Sequence, residues 1–157
     1  LKILLLNLLL ALTWVLVTGE FTPLNLVFGI VLGYLILWFT QGVMGRPRYF
    51  DRVLRGARFA GFFLRELVLA NLRVAYDVIT PTHHMRPAIL AIPLQAKTPT
   101  EITLLANFIT MTPGTLSLDI SDDHKVLYLH TMYAGDIEDF RREIQEGFER
   151  RLLEVMR

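Results

Sequence analysis

Two runs near the start of the chain show no hydrophobic period at all. Ile3 to Thr18 is apolar except for Asn7, Thr13 and Thr18, and Leu24 to Phe39 is apolar except for Asn25. A helix with one side in water carries an apolar stripe, whereas a helix apolar all round sits inside protein or lipid. With its flanks, each run makes a helix of about 18 residues, roughly 27 Å long. That is just enough for a hydrocarbon core of ~30 Å. Between them, Gly19 suits the left-handed position after a helix, Thr22 can cap the next one, and Pro23 fits its first turn. Residues 1–45 therefore read as a tight transmembrane hairpin. A cleaved signal peptide is the alternative for the first run, with Lys2 as its charged start. The run exceeds the usual ~7–15 residues, no A-x-A site follows, and a second apolar run begins at once.

From Gly56 to Ile79 the pattern becomes periodic. At 100° per residue Arg58, Arg65, Glu66, Arg73 and Asp77 fall in a stripe of about 120°, and the rest is largely Phe, Leu, Val and Ala. Placing Arg65 and Arg73 at mid-membrane would cost ~2.5–3.5 kcal/mol each. An amphipathic helix lying in the membrane interface avoids that cost. The competing arrangement is a third span with its charged stripe against a partner, which would put everything after residue 80 on the other side.

Thr80 to Pro87, with His83 and His84, reads as a linker by its prolines and polarity. Ala88 to Ala96 is a short apolar run with Pro93 inside, as in an edge strand. Thr98-Pro99-Thr100-Glu101 is a capping box opening a helix to about Thr110, and Pro113-Gly114 stops it. Thr115 to Ile120 and Lys125 to Tyr133 alternate at period two around a polar turn, which makes a β-hairpin. Asp136 caps a terminal helix to about Met156 with Ile137, Phe140, Ile144, Phe148, Leu152 and Val155 on one face. Strand, helix, strand, strand, helix is a small α+β layer, one sheet with helices on one face. About 70 residues is near the lower limit for an independent core, so this layer is expected to lean on the connector helix or on a partner.

The fold class is thus a membrane protein with an N-terminal transmembrane α-helical hairpin (1–45), then a basic segment, amphipathic interfacial helix and linker (46–87). A small C-terminal cytosolic α+β domain follows (88–157). Charge sets the orientation. Among 157 residues with a formal net charge of +1, residues 1–45 hold one basic and one acidic residue, Lys2 and Glu20. Arg46, Arg48, Arg52, Arg55 and Arg58 follow the second run against Asp51 alone. By the positive-inside rule the N-terminus and the C-terminal domain are cytoplasmic, and Glu20 faces out. The same arginines suit an anionic inner leaflet between Arg46 and Arg58. A basic excess beside an apolar segment is not a nucleic-acid footprint, so no nucleic-acid partner is expected.

Candidate chemistry is sparse. The chain has no cysteine, which excludes disulfides and thiolate metal sites. His83 and His84 point apart in a linker, and His124 and His130 lack ligand spacing. Asp119, Asp122 and Asp123 lack the order of a calcium loop. No phosphate loop or nucleophile–base pair is present. No metal site, cofactor or catalytic residue is therefore expected, and no enzyme activity. Neither apolar run holds an ionisable group, so the chain by itself has no obvious proton relay. Gly29 and Gly33 form a G-x-x-x-G with Asn25 a turn earlier, and Asn7 stands four residues before Ala11. Such small and amide residues make helix contacts in lipid. They serve either another membrane helix or the hairpin's own two helices.

LLNLLLALTWVLVTGEFTPLNLVFG at the start, ANLRVAYDVITP at 70–81, EITLLANFITMTPGTLSLDI at 101–120 and HTMYAGDIEDFRREIQEGFERRLLEVMR at 130–157 together resemble the E-type subunits of the Mrp-type (Mnh/Pha) multisubunit Na+/H+ antiporter. The absent initiator Met suggests a trimmed or alternative start. The resemblance implies a place in a bacterial inner-membrane assembly with other membrane subunits as partners. It implies an accessory role in assembly or coupling, ion conduction being credited to larger subunits. Pro113, Gly114 and Thr115 match the family and are expected at a subunit contact, although a helix stop feeding a strand also accounts for them. A stand-alone membrane-tethered adaptor recruiting a soluble partner is the alternative function.

Overall fold

The computed structural model describes residues 2–44, 48–81 and 85–157. Arg46, His83 and His84 lie outside them, as does the middle of the expected linker. The chain divides into two compact units, Leu1–Leu54 and Arg55–Arg157.

In the first unit, α1 (Lys2–Thr18) and α2 (Pro23–Met44) pack against each other as a helical pair. The turn has the expected chemistry. Gly19 adopts φ +69°, and the Thr22 hydroxyl accepts the Asn25 N–H at 3.2 Å. Within α2, Pro23–Thr40 is long and apolar enough to cross a membrane, while α1 is equally apolar but 17 residues long. The first turn of α3 (Arg48–Ile79) closes the unit. There Phe50 and Tyr49 set their rings against Tyr34 at 5.3 and 6.2 Å.

The second unit holds the rest of α3 and the α+β layer. Its elements are β1 (Ala88–Pro93), α4 (Pro99–Met111), β2 (Thr115–Ile120), β3 (Val126–Thr131), α5 (Ile137–Arg142), a π-helical turn Glu143–Glu149 and α6 (Arg150–Met156). The sheet is antiparallel in the order β1-β3-β2. Leu90, Ile92, Leu127 and Leu129 point from it onto Leu105 and Ile109 of α4 and onto Ile144, Phe148 and Leu152. Phe59 and Phe63 of α3 meet Phe108 edge-on at 4.8 and 5.1 Å, and Phe62 meets Phe148 at 5.2 Å. Each such side chain stabilises by about 1.5–3 kcal/mol when fully buried, so α3 completes a core that the layer alone leaves open.

Two expectations change, and the facing of β2, which its period left open, is decided. β1 ends at Pro93 rather than at Ala96: the Leu94 N–H still bonds the Lys125 carbonyl at 2.8 Å, and the two N–H groups after it turn to another partner. Those of Gln95 and Ala96 reach the Glu149 carboxylate at 2.6 and 2.8 Å. The terminal helix is not continuous α-helix. Its apolar positions 140, 144, 148 and 152 recur every four residues, which overshoots a 3.6-residue turn by ~40° per step. The wider π turn keeps Ile144 and Phe148 facing the core, and Ile137, expected on that face, is exposed. Finally, β2 alternates the opposite way from a surface strand. Leu116 and Leu118 point outward, while the Ser117 hydroxyl donates inward to the Ala106 carbonyl at 3.0 Å.

The capping box is present, with the Glu101 carboxylate accepting from Lys97 and Thr98 N–H. Arg157 donates to the same carboxylate at 3.0 and 3.2 Å. Those bonds, the Arg157 bonds first, hold Glu101 down to about 2 against an ordinary 4.5. A depressed carboxyl contributes its stabilisation in full above its unfolded pKa and loses it as pH falls through the folded value. The exchange protection of the amides at 97–101, taken relative to their unstructured rates, should therefore hold down to about pH 4.5 and fall toward pH 2. Arg157→Gln should move that loss to higher pH.

Candidate functional site

The residues singled out in the sequence fall into two places. In the helical pair, Asn7 and Asn25 pin opposite ends. Asn7, 1% exposed, donates to the Tyr49 hydroxyl at 2.9 Å. Asn25 accepts from the Trp14 indole at 2.9 Å and donates to the Thr18 hydroxyl and the Glu20 carbonyl at 2.7 and 2.8 Å. Amides in apolar surroundings need such partners. Between them the glycines bring the helices close. A Cβ on Gly29 would lie 2.9 Å from the Ala11 carbonyl oxygen, and one on Gly33 would collide with Asn7 Oδ1. Of the two uses open to the small-residue stripe, the structure shows contact between the hairpin's own helices.

Pro113, Gly114 and Thr115 lie at the other place, a cleft in the second unit between α3 and the α+β layer. Gly114 holds φ +89°, and a Cβ there would come within 3.0 Å of the Tyr133 ring. Thr115 donates its hydroxyl to the Ile109 carbonyl at 2.6 Å, closing the end of α4. Pro113 and Thr115 line the cleft together with Glu66, Arg73, Tyr133 and Glu143. Its volume is about 70 Å³, room for a few waters and too little for an organic ligand of the usual ~300–1,000 Å³ site.

Charge collects at this cleft. The Arg73 guanidinium stands over the Tyr133 ring, 5.3 Å from its centre. Burial first, and the neighbouring Asp77 carboxylate second, push the Tyr133 phenol up. Asp77 itself is 3% exposed. Glu143 stands at the rim, where partial withdrawal from water and then the Glu66 charge push its carboxyl up, with Arg73 opposing. Glu66 is held by Arg65 at 2.6 Å. This arrangement can bind a proton or order water; it presents no nucleophile, and the hydroxyls of Thr112 and Thr115 are spent on main-chain carbonyls.

Sequence reasoning missed Tyr133 and Glu143 as members of a site, and read Arg73 and Asp77 only as part of a stripe toward headgroups. The signal was that stripe itself. On α3, Glu66, Arg73 and Asp77 share the side of Phe59 and Phe62 and turn toward protein. Leu64, Val68, Leu72 and Ile79 occupy the opposite side and are exposed.

A family model described as Na+/H+ ion antiporter subunit matches residues 7–155. The chain is 38% identical over 151 residues to the E-type subunit of the Na(+)/H(+) antiporter of Alkalihalophilus pseudofirmus, covering 96% of each. It is 37% identical over 153 residues to the protein of that name in Bacillus subtilis, covering 98% of this chain and 97% of that one. Among solved structures it resembles a chain of the membrane-bound sulfane sulfur reductase, an archaeal respiratory membrane complex. The TM-score there is 0.58, with 27% identity over 96% of both chains. A chain of the Mrp complex from Dietzia sp. DQ12-45-1b matches at TM-score 0.51 and 27% identity, over 66% of this chain and 97% of that one.

Gly33→Leu should destabilise the helical pair by about 1–3 kcal/mol, read by thermal unfolding in detergent, while Gly61→Ala, with open space around it, should not. Gly114→Ala should cost the second unit about 1–2 kcal/mol, the penalty of a side chain at positive φ.

Proposed function

The chain belongs to the Na+/H+ ion antiporter subunit family, and from that premise we propose that it is an accessory E-type subunit of a multisubunit monovalent cation/proton antiporter. In this reading it supports assembly and coupling and does not itself carry the ion. One observation carries this: between Ile3 and Thr18 and between Pro23 and Phe39 no Asp, Glu, Lys, Arg or His occurs. A chain that hands protons or Na+ across a bilayer needs ionisable or coordinating groups at membrane depth. The Asn25 amide is engaged in helix pairing, and the Asn7 amide nitrogen bonds the Tyr49 hydroxyl of α3, leaving the Asn7 carbonyl oxygen buried against Gly33 without a hydrogen bond among the described residues.

The membrane placement is part of the same proposal. α1 and α2 cross the inner membrane as a hairpin with Glu20 outside. Residues 46–87 form the interfacial segment, and residues 88–157 the cytoplasmic domain. The exposed side of α3 supports it, because Leu64, Val68, Leu72 and Ile79 are 59%, 56%, 62% and 81% exposed and Arg58 and Arg65 flank them. An apolar helix side beside arginines fits the surface of an anionic leaflet.

Deleting the chain should abolish antiport through loss of the assembled complex, whereas Glu20→Gln should leave antiport unchanged. Native mass measurement after gentle extraction checks the first. Co-migration with several polytopic proteins is expected; a chain running alone would favour the adaptor. Gly135→Cys should react with an impermeant maleimide only from the cytoplasmic side, and labelling from outside would overturn the orientation.

A further inference from the structure

The sheet of the second unit is covered on one side only. Leu90, Ile92, Leu127 and Leu129 face the helices. On the opposite pleat Ile89, His130 and Leu116 pair in one row and Ala91, Tyr128 and, at the sheet's edge, Asp119 in the next, with Leu118 in the bulge between Ser117 and Asp119. Ile89 is 66% exposed, Leu116 46%, Leu118 47% and Tyr128 39%. A sheet face meant for water carries polar side chains. Here Asp119 is the one charged residue on the three strands.

This alternation is held in place rather than accidental. Register by one residue decides which side chains face the core, and β2 spends its polar residues inward. Ser117 donates its hydroxyl to the Ala106 carbonyl at 3.0 Å and its N–H meets the Thr110 hydroxyl at 3.1 Å. Thr115 bonds the Ile109 carbonyl at 2.6 Å. Turning Leu116 and Leu118 inward would break all three bonds.

We infer that this open sheet face docks an apolar, uncharged helix of a neighbouring subunit in the same assembly. The inference rests on the assembly proposed above. Three observations select that occupant. The exposed apolar area is on the order of 400 Å², as large as the biggest patch on an ordinary monomer, yet about half the ~800 Å² per partner that a stable pair needs. A second copy is thus too weakly held, whereas a neighbour already anchored beside this one meets the patch at high effective concentration. Lipid is excluded by the layering: α3 packs on the helices, through Phe108 and Phe148, so the sheet's outer pleat faces away from the helix side proposed to touch the leaflet. A helix fits because an apolar sheet face must be buried against another packed element, and a helix laid on a sheet is one of the stable layer arrangements. His130 and the Tyr128 hydroxyl, in the centre of the face, offer such a helix a polar contact.

The absence of native cysteine makes the test direct. Ile89→Cys and Leu118→Cys are introduced separately into the full chain and labelled with a small neutral maleimide in the intact membrane complex and in the chain extracted alone. Gly135→Cys serves as the exposed control. Labelling at 89 and 118 should be at least about tenfold slower in the complex and as fast as the control in the isolated chain. A photo-crosslinker at 118 should join one other subunit. Leu118→Arg, which points outward and leaves the core intact, should weaken retention of the chain in the complex. A chain that co-purifies with other subunits yet labels freely at 89 and 118 overturns this surface and leaves the assembly reading standing. A chain that extracts alone overturns both. Protection in the isolated chain together with a doubled mass points to a second copy, and protection that disappears only with lipid removal points to the bilayer; either result overturns the docked helix.

Discussion

Withdrawing a carboxylate such as Glu149 from water costs several kcal/mol unless donors meet it. In the second unit, the N–H groups of Gln95 and Ala96 do so at 2.6 and 2.8 Å. Glu149 is 1% exposed, and its burial pushes the carboxyl up despite these bonds. The bonds tie the exit of β1 to the π turn. That turn in turn holds Ile144 and Phe148 against the sheet and Phe62 of α3. Beside it Glu101 gathers Lys97, Thr98 and Arg157. The junction between strand and helix thus has its main-chain donors satisfied by two carboxylates, and the small core is closed around it.

The helical pair obeys the same constraint with amides instead of carboxylates. Asn25 finds its partners within the pair and the Asn7 amide nitrogen finds the Tyr49 hydroxyl of α3, while Gly29 and Gly33 remove the side chains that would keep the backbones apart. Polarity is used mainly for packing, and no ionisable group stands in either apolar run.

Two surfaces of the second unit have their polar side inward and their apolar side outward. On α3 Glu66 and Arg73 line the cleft and Leu64, Val68 and Leu72 are exposed; on β2 Ser117 points in and Leu118 out. A free soluble domain would be arranged the other way. Both inversions are what the proposed placement against lipid and neighbouring subunits calls for.

The sequence by itself determined the two aperiodic apolar runs, their turn at Gly19 and Pro23, the capping box at Thr98 and the strand–helix order of the C-terminal layer. Each of these rests on local physics: hydropathy, a positive φ, a side chain reaching a backbone group three residues away. The family was legible for the same reason, since its motifs are contiguous. What only the tertiary structure decided depends on contacts distant along the chain. The stripe on α3 was visible, but whether it met headgroups or protein turned on Glu143 and Tyr133, more than fifty residues away. The period of β2 was visible, but not which side of it faced the core, because the deciding bonds go to α4. The G-x-x-x-G could be seen but not its partner, because a small residue permits close approach without specifying to what; Asn7 and Ala11 supplied the answer only once α1 lay against it.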